Sequence, residues 1–156
     1  MKCCFCGHGK IWDLPYNINL YITKSIEFLI KEHDVNIFLS GGMGSFDKEA
    51  ESVVRKLKKT YPHIKLFLYL PYLTESLNKR KDYIYTLYDE IIYPELEDVY
   101  FKAAIQKRNR IMVDESDYMV SYVKNKYGGA WKTYNYAKKK NDIKIINIAE
   151  RISNDI

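Results

Sequence analysis

The feature that most constrains the fold of this chain is a regular alternation of short apolar runs with longer segments of helical periodicity. The apolar runs occupy residues 2–6, 35–39, 65–70, 90–93, 118–123 and 144–148. Helical patterns lie between them at residues 18–34, from 50 to just before Pro62, and at 74–88, 101–112 and 128–140. Strands joined by helices of this length form right-handed crossovers and a parallel sheet covered on both faces. We therefore predict one domain over residues 1–156, an α/β, Rossmann-like three-layer sandwich with a mostly parallel sheet of about six strands.

Composition excludes several other classes of protein. The chain has 156 residues, of which 47% are hydrophobic and 29% charged, so it can bury a core. Charges interrupt every apolar run well short of the roughly 20 residues that a membrane-spanning helix needs. The start, MKCCFCGHGK, reaches Gly7 and His8 before the apolar core of a secretory signal could form. We expect a cytoplasmic protein without membrane partners.

Three predicted strands end in glycine-bearing loops, and parallel strands place such loops at one edge of the sheet. A glycine turn before a helix lets a ligand approach the backbone and aims several N–H groups at one point. Ordinary strand-to-helix turns also use glycine, but two double-glycine turns at the same edge favour an anion site. The candidate ligand-binding residues in these loops are Gly7, His8, Gly41, Gly42, Gly44, Ser45, Gly128 and Gly129.

Two named nucleotide motifs do not fit these loops. A dinucleotide fingerprint beginning at Gly7 would need glycine at position 12, where Trp12 stands. A P-loop ending at Gly9-Lys10 would need glycine at position 4 and a hydroxyl residue at position 11, where the chain has Cys4 and Ile11.

The three cysteines lie at positions 3, 4 and 6, close to His8. On a strand, Cys4 and Cys6 share one face and Cys3 takes the other, and no second Cys/His pair follows elsewhere in the sequence. We interpret the thiols as small apolar core groups of a reduced protein. We expect no metal site and no cofactor.

Arg108 is the most informative charged residue. The apolar stripe of its predicted helix runs through positions 101, 104, 105, 111 and 112, so position 108 faces inward. An inward arginine must snorkel or meet an anion. Two partners remain open: a carboxylate such as Asp114 or Asp117, or the phosphate or ribose of a ligand.

The formal net charge is +5, and the basic clusters 56–59, 79–81 and 138–140 lie far apart in the sequence. Two of them end helical patterns, where cations complement the helix dipole. Solvated helix faces explain this distribution better than a nucleic-acid track, so we expect nucleic acid not to be a partner.

The motifs CCFCGH, FLSGGMGSFDKEAE, LPY, AIQKRNRIMVDESDYMVSYV and GGAWKTYNYAKK, in this order, resemble the YpsA-like branch of the SLOG superfamily. That superfamily also contains the LOG phosphoribohydrolases and the Rossmann domain of DprA. The resemblance runs from about residue 2 to residue 148. It implies a Rossmann-like fold that binds nucleotides or nucleotide-derived ligands, and it adds Asn109 and Thr133 to the expected ligand-binding residues.

The chain departs from the pattern of these relatives in informative places. The branch usually reads G-H-R after its first strand, where this chain has Gly7-His8-Gly9. The arginine and methionine of the LOG motif R-K-x-x-M are kept at Arg108 and Met112. The LOG motif P-G-G-x-G-T-x-x-E survives as Gly128-Gly129 with Thr133, but Tyr136 stands at the glutamate position. Cleavage of an N-glycosidic bond needs a carboxylate, which a tyrosine does not replace.

Three functions follow in order of preference. The first is binding of a nucleotide-derived small molecule of the AMP or ADP-ribose kind, as a sensor or sequestering protein, with Asp47 or Asp117 accepting ribose hydroxyls. The second is a LOG-like phosphoribohydrolase that uses Arg108 with Glu49 or Glu51 as catalytic residues. The third, by analogy with DprA, is single-stranded nucleic-acid binding. The sequence leaves a homodimer open.

Overall fold

Six strands and seven helices make up the computed structural model, which describes residues 1–10, 14–96 and 98–155. The strands are β1 (Lys2–Gly7), β2 (Ile37–Ser40), β3 (Lys65–Tyr69), β4 (Glu90–Ile92), β5 (Tyr118–Tyr122) and β6 (Lys144–Asn147). The helices are α1 (Ile18–His33), α2 (Ser45–Leu57), α3 (Glu75–Lys79), α4 (Lys81–Leu87), α5 (Phe101–Asp114), α6 (Gly128–Lys140) and α7 (Ile148–Asn154).

All six strands are parallel and form one sheet in the order β4-β3-β2-β1-β5-β6. The central strand β1 pairs with β2 on one side, where Cys4 lies opposite Leu39, and with β5 on the other, where Cys4 lies opposite Met119. The Rossmann-like fold class is therefore confirmed, and the sheet is fully parallel. The strand order reverses between β1 and β5, so a crevice opens beyond the carboxyl ends of these two strands.

Side chains that alternate along the strands pack into two separate apolar cores, one on each face of the sheet. Cys3 and Phe5 of β1 join the core that α1, α2 and α7 cover, whereas Cys4 and Cys6 join the core under α5 and α6. Burial raises the pKa of all three thiols, Cys4 to about 12, so they stay protonated and apolar. Helix α1 follows the expected pattern, since Ile22, which is fully buried, lies on its inward face.

Two segments differ from the predicted elements. The helix expected over residues 74–88 is two short helices, α3 and α4, neither of which contains a buried residue. Without a continuous apolar face to pack, the segment gains little from staying in one helix. The strand expected over residues 144–148 ends at Asn147, and Ile148 instead begins α7, where it is fully buried in the first core.

Candidate functional site

A narrow cleft lies at the switch point, between the carboxyl end of β1 and helices α5 and α6. Its volume is about 160 Å³. Six of the predicted site residues line it together: Gly7, Asp47, Arg108, Asn109, Gly129 and Thr133. Met43, Ile105 and Gln106 also line the cleft and were not predicted. The sequence signals for them are weak: Met43 interrupts a glycine turn, and Gln106 lies two residues before the inward arginine.

Arg108 is almost completely buried, with 2% of its surface exposed. Its Nη1 donates to the backbone carbonyls of Tyr69 at 2.8 Å and Gly41 at 3.0 Å, and its Nε donates to Oδ1 of Asn109 at 2.8 Å. Its Nη2 donates to the thioether sulfur of Met43, a weak acceptor, at 3.6 Å. Of the two partners left open by the sequence, a carboxylate at Asp114 or Asp117 is not the one found: these side chains accept from Tyr136 and from the amide of Lys2. Arg108 therefore fixes the protein's own backbone through Nη1, and its Nη2 lies against Met43, which also lines the cleft.

The acid that faces this arginine is Asp47, in the first turn of α2. Burial raises the pKa of Asp47 to about 7, and the Met43 amide and the positive charge of Arg108 partly oppose that shift. The Met43 N–H donates to Oδ2 of Asp47 at 3.1 Å. Burial likewise lowers the pKa of Arg108, and the negative charge of Asp47 opposes this change. The cleft therefore contains one buried cation and a carboxyl group that titrates near neutral pH.

The first double-glycine turn, residues 41–45, uses many of its donors internally. The amide of Gly42 donates to Oγ of Ser40, and the amide of Ser45 donates to the carbonyl of Gly9. The amide of Met43 is held by Asp47, as described above. Because three amides of this turn already have protein acceptors, the turn is a rigid wall of the cleft rather than an open cradle for an anion.

Close packing explains two of the other glycines. A Cβ on Gly7 would lie 2.3 Å from the ring of Phe46, and a Cβ on Gly44 would lie 2.6 Å from the Cα of Gly9. These glycines let α2 approach the end of β1 and the loop that follows it. They shape the cleft, and Gly44 does not line it.

The second double-glycine turn, at the start of α6, is more open. Gly128 has φ of +91° and faces open space, and Gly129 lies near only the flexible end of Gln106. The first N–H groups of a helix lack intrahelical acceptors, and the N-cap residue Tyr127 makes no side-chain capping hydrogen bond. Asn109 donates to Oγ1 of Thr133 at 3.2 Å, which ties α5 to α6 beside this turn. The N-terminus of α6 is thus the part of the cleft best suited to an anion.

His8 is hydrogen-bonded to the loop that precedes this second glycine turn. Its Nε2 accepts hydrogen bonds from the backbone amides of Lys124 at 3.1 Å and Asn125 at 3.3 Å. The imidazole therefore holds the loop that leads into α6, and it is 9% exposed. Its place in the structure is that of a positioning residue.

Three of the predicted carboxylates are not brought to the cleft. Asp117 precedes β5 at the opposite edge of the sheet, where its Oδ2 accepts from the amide of Lys2. Glu49 accepts from Nδ2 of Asn19 on α1. Glu51 is buried behind the first glycine turn and accepts from Oγ of Ser40 at 2.7 Å. Periodicity alone could not separate Glu51 from Asp47, because residues four positions apart lie on the same face of a helix and both are buried.

Other expectations concern positions away from the cleft. Tyr136, at the position of the LOG glutamate, donates to Oδ1 of Asp114 near the far end of α6. Ile11 and Trp12, on which two motifs fail, lie outside the described residues. Within the described ranges, the structure contains no cluster of three or more side chains suited to a metal ion, and no helix there is long and apolar enough to cross a bilayer.

The fold and the position of the cleft define a Rossmann-like α/β protein with its candidate site at the topological switch point. The model of the YspA SLOG family (YpsA) matches residues 16–150. The chain is also 32% identical over 130 residues to the uncharacterized SPbeta prophage-derived protein YoqJ of Bacillus subtilis (strain 168), a match that covers 73% of this chain and 76% of YoqJ. The chain belongs to the YpsA SLOG family.

Solved structures share the fold at much lower identity. DprA (DNA processing protein A) from Streptococcus pneumoniae superposes with a TM-score of 0.63 at 15% identity over 92% of this chain and 48% of DprA. DprA from Helicobacter pylori, described with a single-stranded DNA binding mode, gives 0.63 at 16% identity over 93% of this chain and 64% of that protein. TM1055, a structural genomics target, gives 0.56 at 15% identity over 98% of this chain and 80% of TM1055. The chain thus spans about half to two thirds of these DprA chains.

Proposed function

We propose that this protein binds a nucleotide-derived ligand of the AMP or ADP-ribose kind in the switch-point cleft, as a sensor or sequestering protein. One observation carries the proposal: Gly129, at the open N-terminus of α6, and the buried Arg108 line the same cleft. Backbone amides at a helix start and a guanidinium are both strong phosphate donors. Because the guanidinium is already fixed by Tyr69 and Gly41, a phosphate would meet a preorganised cation.

The size of the cleft indicates how a ligand would lie. Its 160 Å³ is smaller than the roughly 300–1,000 Å³ of most small-molecule pockets. Met43, which is 39% exposed, separates it from a neighbouring groove of about 480 Å³ that Tyr72, Tyr83 and Arg80 help to line. A phosphate and ribose fit the cleft, and the base would lie in the groove once the flexible Met43 side chain has moved.

A thermal-shift screen against AMP, ADP-ribose, cyclic ADP-ribose, NAD and a short single-stranded DNA tests this proposal. A ligand that binds only the native state at 100 times its Kd adds about 2.7 kcal/mol to the free energy of unfolding. Gly129→Val should abolish the shift, since its side chain would cover the α6 amides while displacing only the end of Gln106. Lys132→Ala, an exposed change on the same helix, is the matched control. Equal shifts in both variants, or no shift with any of the small molecules, would contradict the proposal.

A second candidate, hydrolysis of nucleoside monophosphates, is favoured by one observation. Asp47 places a carboxyl group with a pKa of about 7 in the cleft, a value suited to acid–base chemistry. We expect no release of free base from AMP, CMP, GMP or UMP, because Asp47 is held by the Met43 amide and Tyr136 replaces the LOG glutamate. Base release detected by chromatography and lost in Asp47→Asn would make the enzyme the better assignment.

A further inference from the structure

A second recess lies on the other side of α6. This α6–α7 groove, of about 650 Å³, opens beyond the carboxyl ends of β5 and β6 and has no lining residue in common with the switch-point cleft. Helix α6 separates the two: Thr133 lines the cleft, whereas Trp131 and Tyr134 line the groove. Its volume lies within the range of small-molecule sites.

Three lysines surround the groove. Lys124 and Lys126 follow β5, and Lys138 belongs to the basic cluster at the end of α6. These positions are separated along the sequence, but the fold brings them to one rim, where all three are exposed. None of them takes part in an ion pair within the described part of the chain. The groove therefore has a net positive lining, against a single carboxylate, Glu150.

The wall and the floor of the groove are ordered by contacts within the protein. The rings of Trp131 and Tyr134 pack with centroids 5.9 Å apart, and the Lys138 ammonium lies 5.3 Å from the centroid of the Tyr134 ring. At the floor, the Asn147 side chain accepts from the amide of Val123 at 3.1 Å and donates to its carbonyl at 2.9 Å. Glu150 accepts from the Tyr134 hydroxyl at 3.3 Å, so the carboxylate is turned to the wall. The aromatic surface and the cations are thus presented on a fixed backbone.

We propose that the α6–α7 groove is a second binding site, for a phosphate-bearing ligand with a planar ring, that is, a nucleotide unit. Lysine ammonium groups attract phosphates as point charges, and an indole face gives a planar ring a stacking surface. The unit can be a free nucleotide or one residue of a single strand, since both present the same chemistry. Lysines that lie apart in the sequence thus converge beside an aromatic wall.

The indole itself reports on this site. The chain contains two tryptophans, Trp12 and Trp131, so Trp12→Phe leaves Trp131 as the only indole emitter. In this background we expect thymidine triphosphate to quench Trp131 emission saturably, with an affinity that falls as salt rises. Inorganic tripolyphosphate should displace it without quenching, because it lacks the ring. Unchanged Trp131 emission with both thymidine triphosphate and an oligothymidylate, at millimolar concentration, would overturn the proposal.

Lys138→Glu and Lys139→Glu form a matched pair of variants. Both residues are exposed neighbours on α6, but only Lys138 lines the groove. We expect Lys138→Glu to weaken binding about tenfold and Lys139→Glu to change it less than about twofold. Lys124→Glu repeats the test at a lysine outside α6, in the loop after β5. Equal affinities in all three variants would place the ligand elsewhere.

Two further measurements distinguish a single strand from a free nucleotide, and the α6–α7 groove from the switch-point cleft. Tight binding of oligothymidylate with weak binding of the free nucleotide assigns the groove to a strand, and the reverse assigns it to a free nucleotide. Gly129→Val, which covers the switch-point cleft, should leave Trp131 quenching unchanged. If it abolishes quenching, the ligand occupies the cleft and the groove is not a separate site.

Discussion

The guanidinium of Arg108 fills the space in which Gly41 would carry a side chain. Nη1 of Arg108 donates to the Gly41 carbonyl at 3.0 Å, and a Cβ on Gly41 would lie 2.8 Å from Cζ. The glycine after β2 and the inward arginine of α5 are therefore one unit, although 67 positions separate them. The absence of a side chain at position 41 is what allows a cation to be buried beside the cleft.

Gly41→Ala should destabilise the protein by roughly 1–3 kcal/mol, because the new methyl group forces the buried guanidinium out of place. Gly9→Ala is the control, since its Cβ would meet nothing closer than 3.8 Å and should change stability by less than about 0.5 kcal/mol. Urea unfolding followed by circular dichroism measures both. Equal stabilities for the two variants would show that Arg108 can move at no cost.

Arg108→Met should cost about 2–4 kcal/mol, because it leaves the carbonyls of Gly41 and Tyr69 without their donor in a buried setting. Lys107→Met, an exposed change one position away on α5, should stay within about 0.5 kcal/mol of wild type. Chemical unfolding gives the stabilities, and ligand titration of the still-folded variant gives its affinity. A stable Arg108→Met protein would contradict a structural role for the guanidinium.

Asp47 should make stability fall as pH rises. Burial raises its pKa from 3.8 to about 7, so between these values the folded state binds more protons than the unfolded state. The contribution of this group to the free energy of unfolding is then largest below about pH 4, declines up to about pH 7 and is constant above it. Asp47→Asn should remove this slope and keep an oxygen for the Met43 amide. Urea unfolding of both proteins, measured at several pH values between about 4 and about 7, checks this prediction. If the stabilities of Asp47→Asn and wild type change in parallel with pH, the prediction is wrong.

Glu51→Gln should destabilise the protein by about 1–3 kcal/mol, because the buried carboxylate accepts from Ser40, from the Tyr88 hydroxyl and from Arg55. Glu49→Gln, whose side chain has one hydrogen bond to Asn19, should cost less than about 1 kcal/mol. Neither change should alter ligand affinity in the cleft. A loss of affinity in Glu51→Gln with unchanged stability would return this residue to the site.

Part of the candidate site could be predicted from the sequence, because it depends on the order of elements along the chain and on helical periodicity. Glycines that follow strands must lie at the carboxyl edge of a parallel sheet, and an arginine within an apolar stripe must face inward. Gly129 and Arg108 both line the cleft at the switch point. The roles of Gly7 and Gly44 were not readable, because a glycine needed for helix packing and one needed for a ligand look the same in a sequence.

What the sequence determined by itself is the alternation of strands and helices, the parallel sheet and the edge at which the candidate site lies, since hydrophobic periodicity and chain connectivity act over short distances. Tertiary structure decided which polar groups share a space. It placed Asp47 in the cleft and Glu51 outside it. It also bound Nη1 of Arg108 to backbone carbonyls and placed Asp117 at the amino ends of the strands. It also gathered Lys124 and Lys138 at one groove. The physical reason is that burial, charge and hydrogen bonding depend on how helices cross the sheet, and residues far apart in the chain fix those crossings by packing.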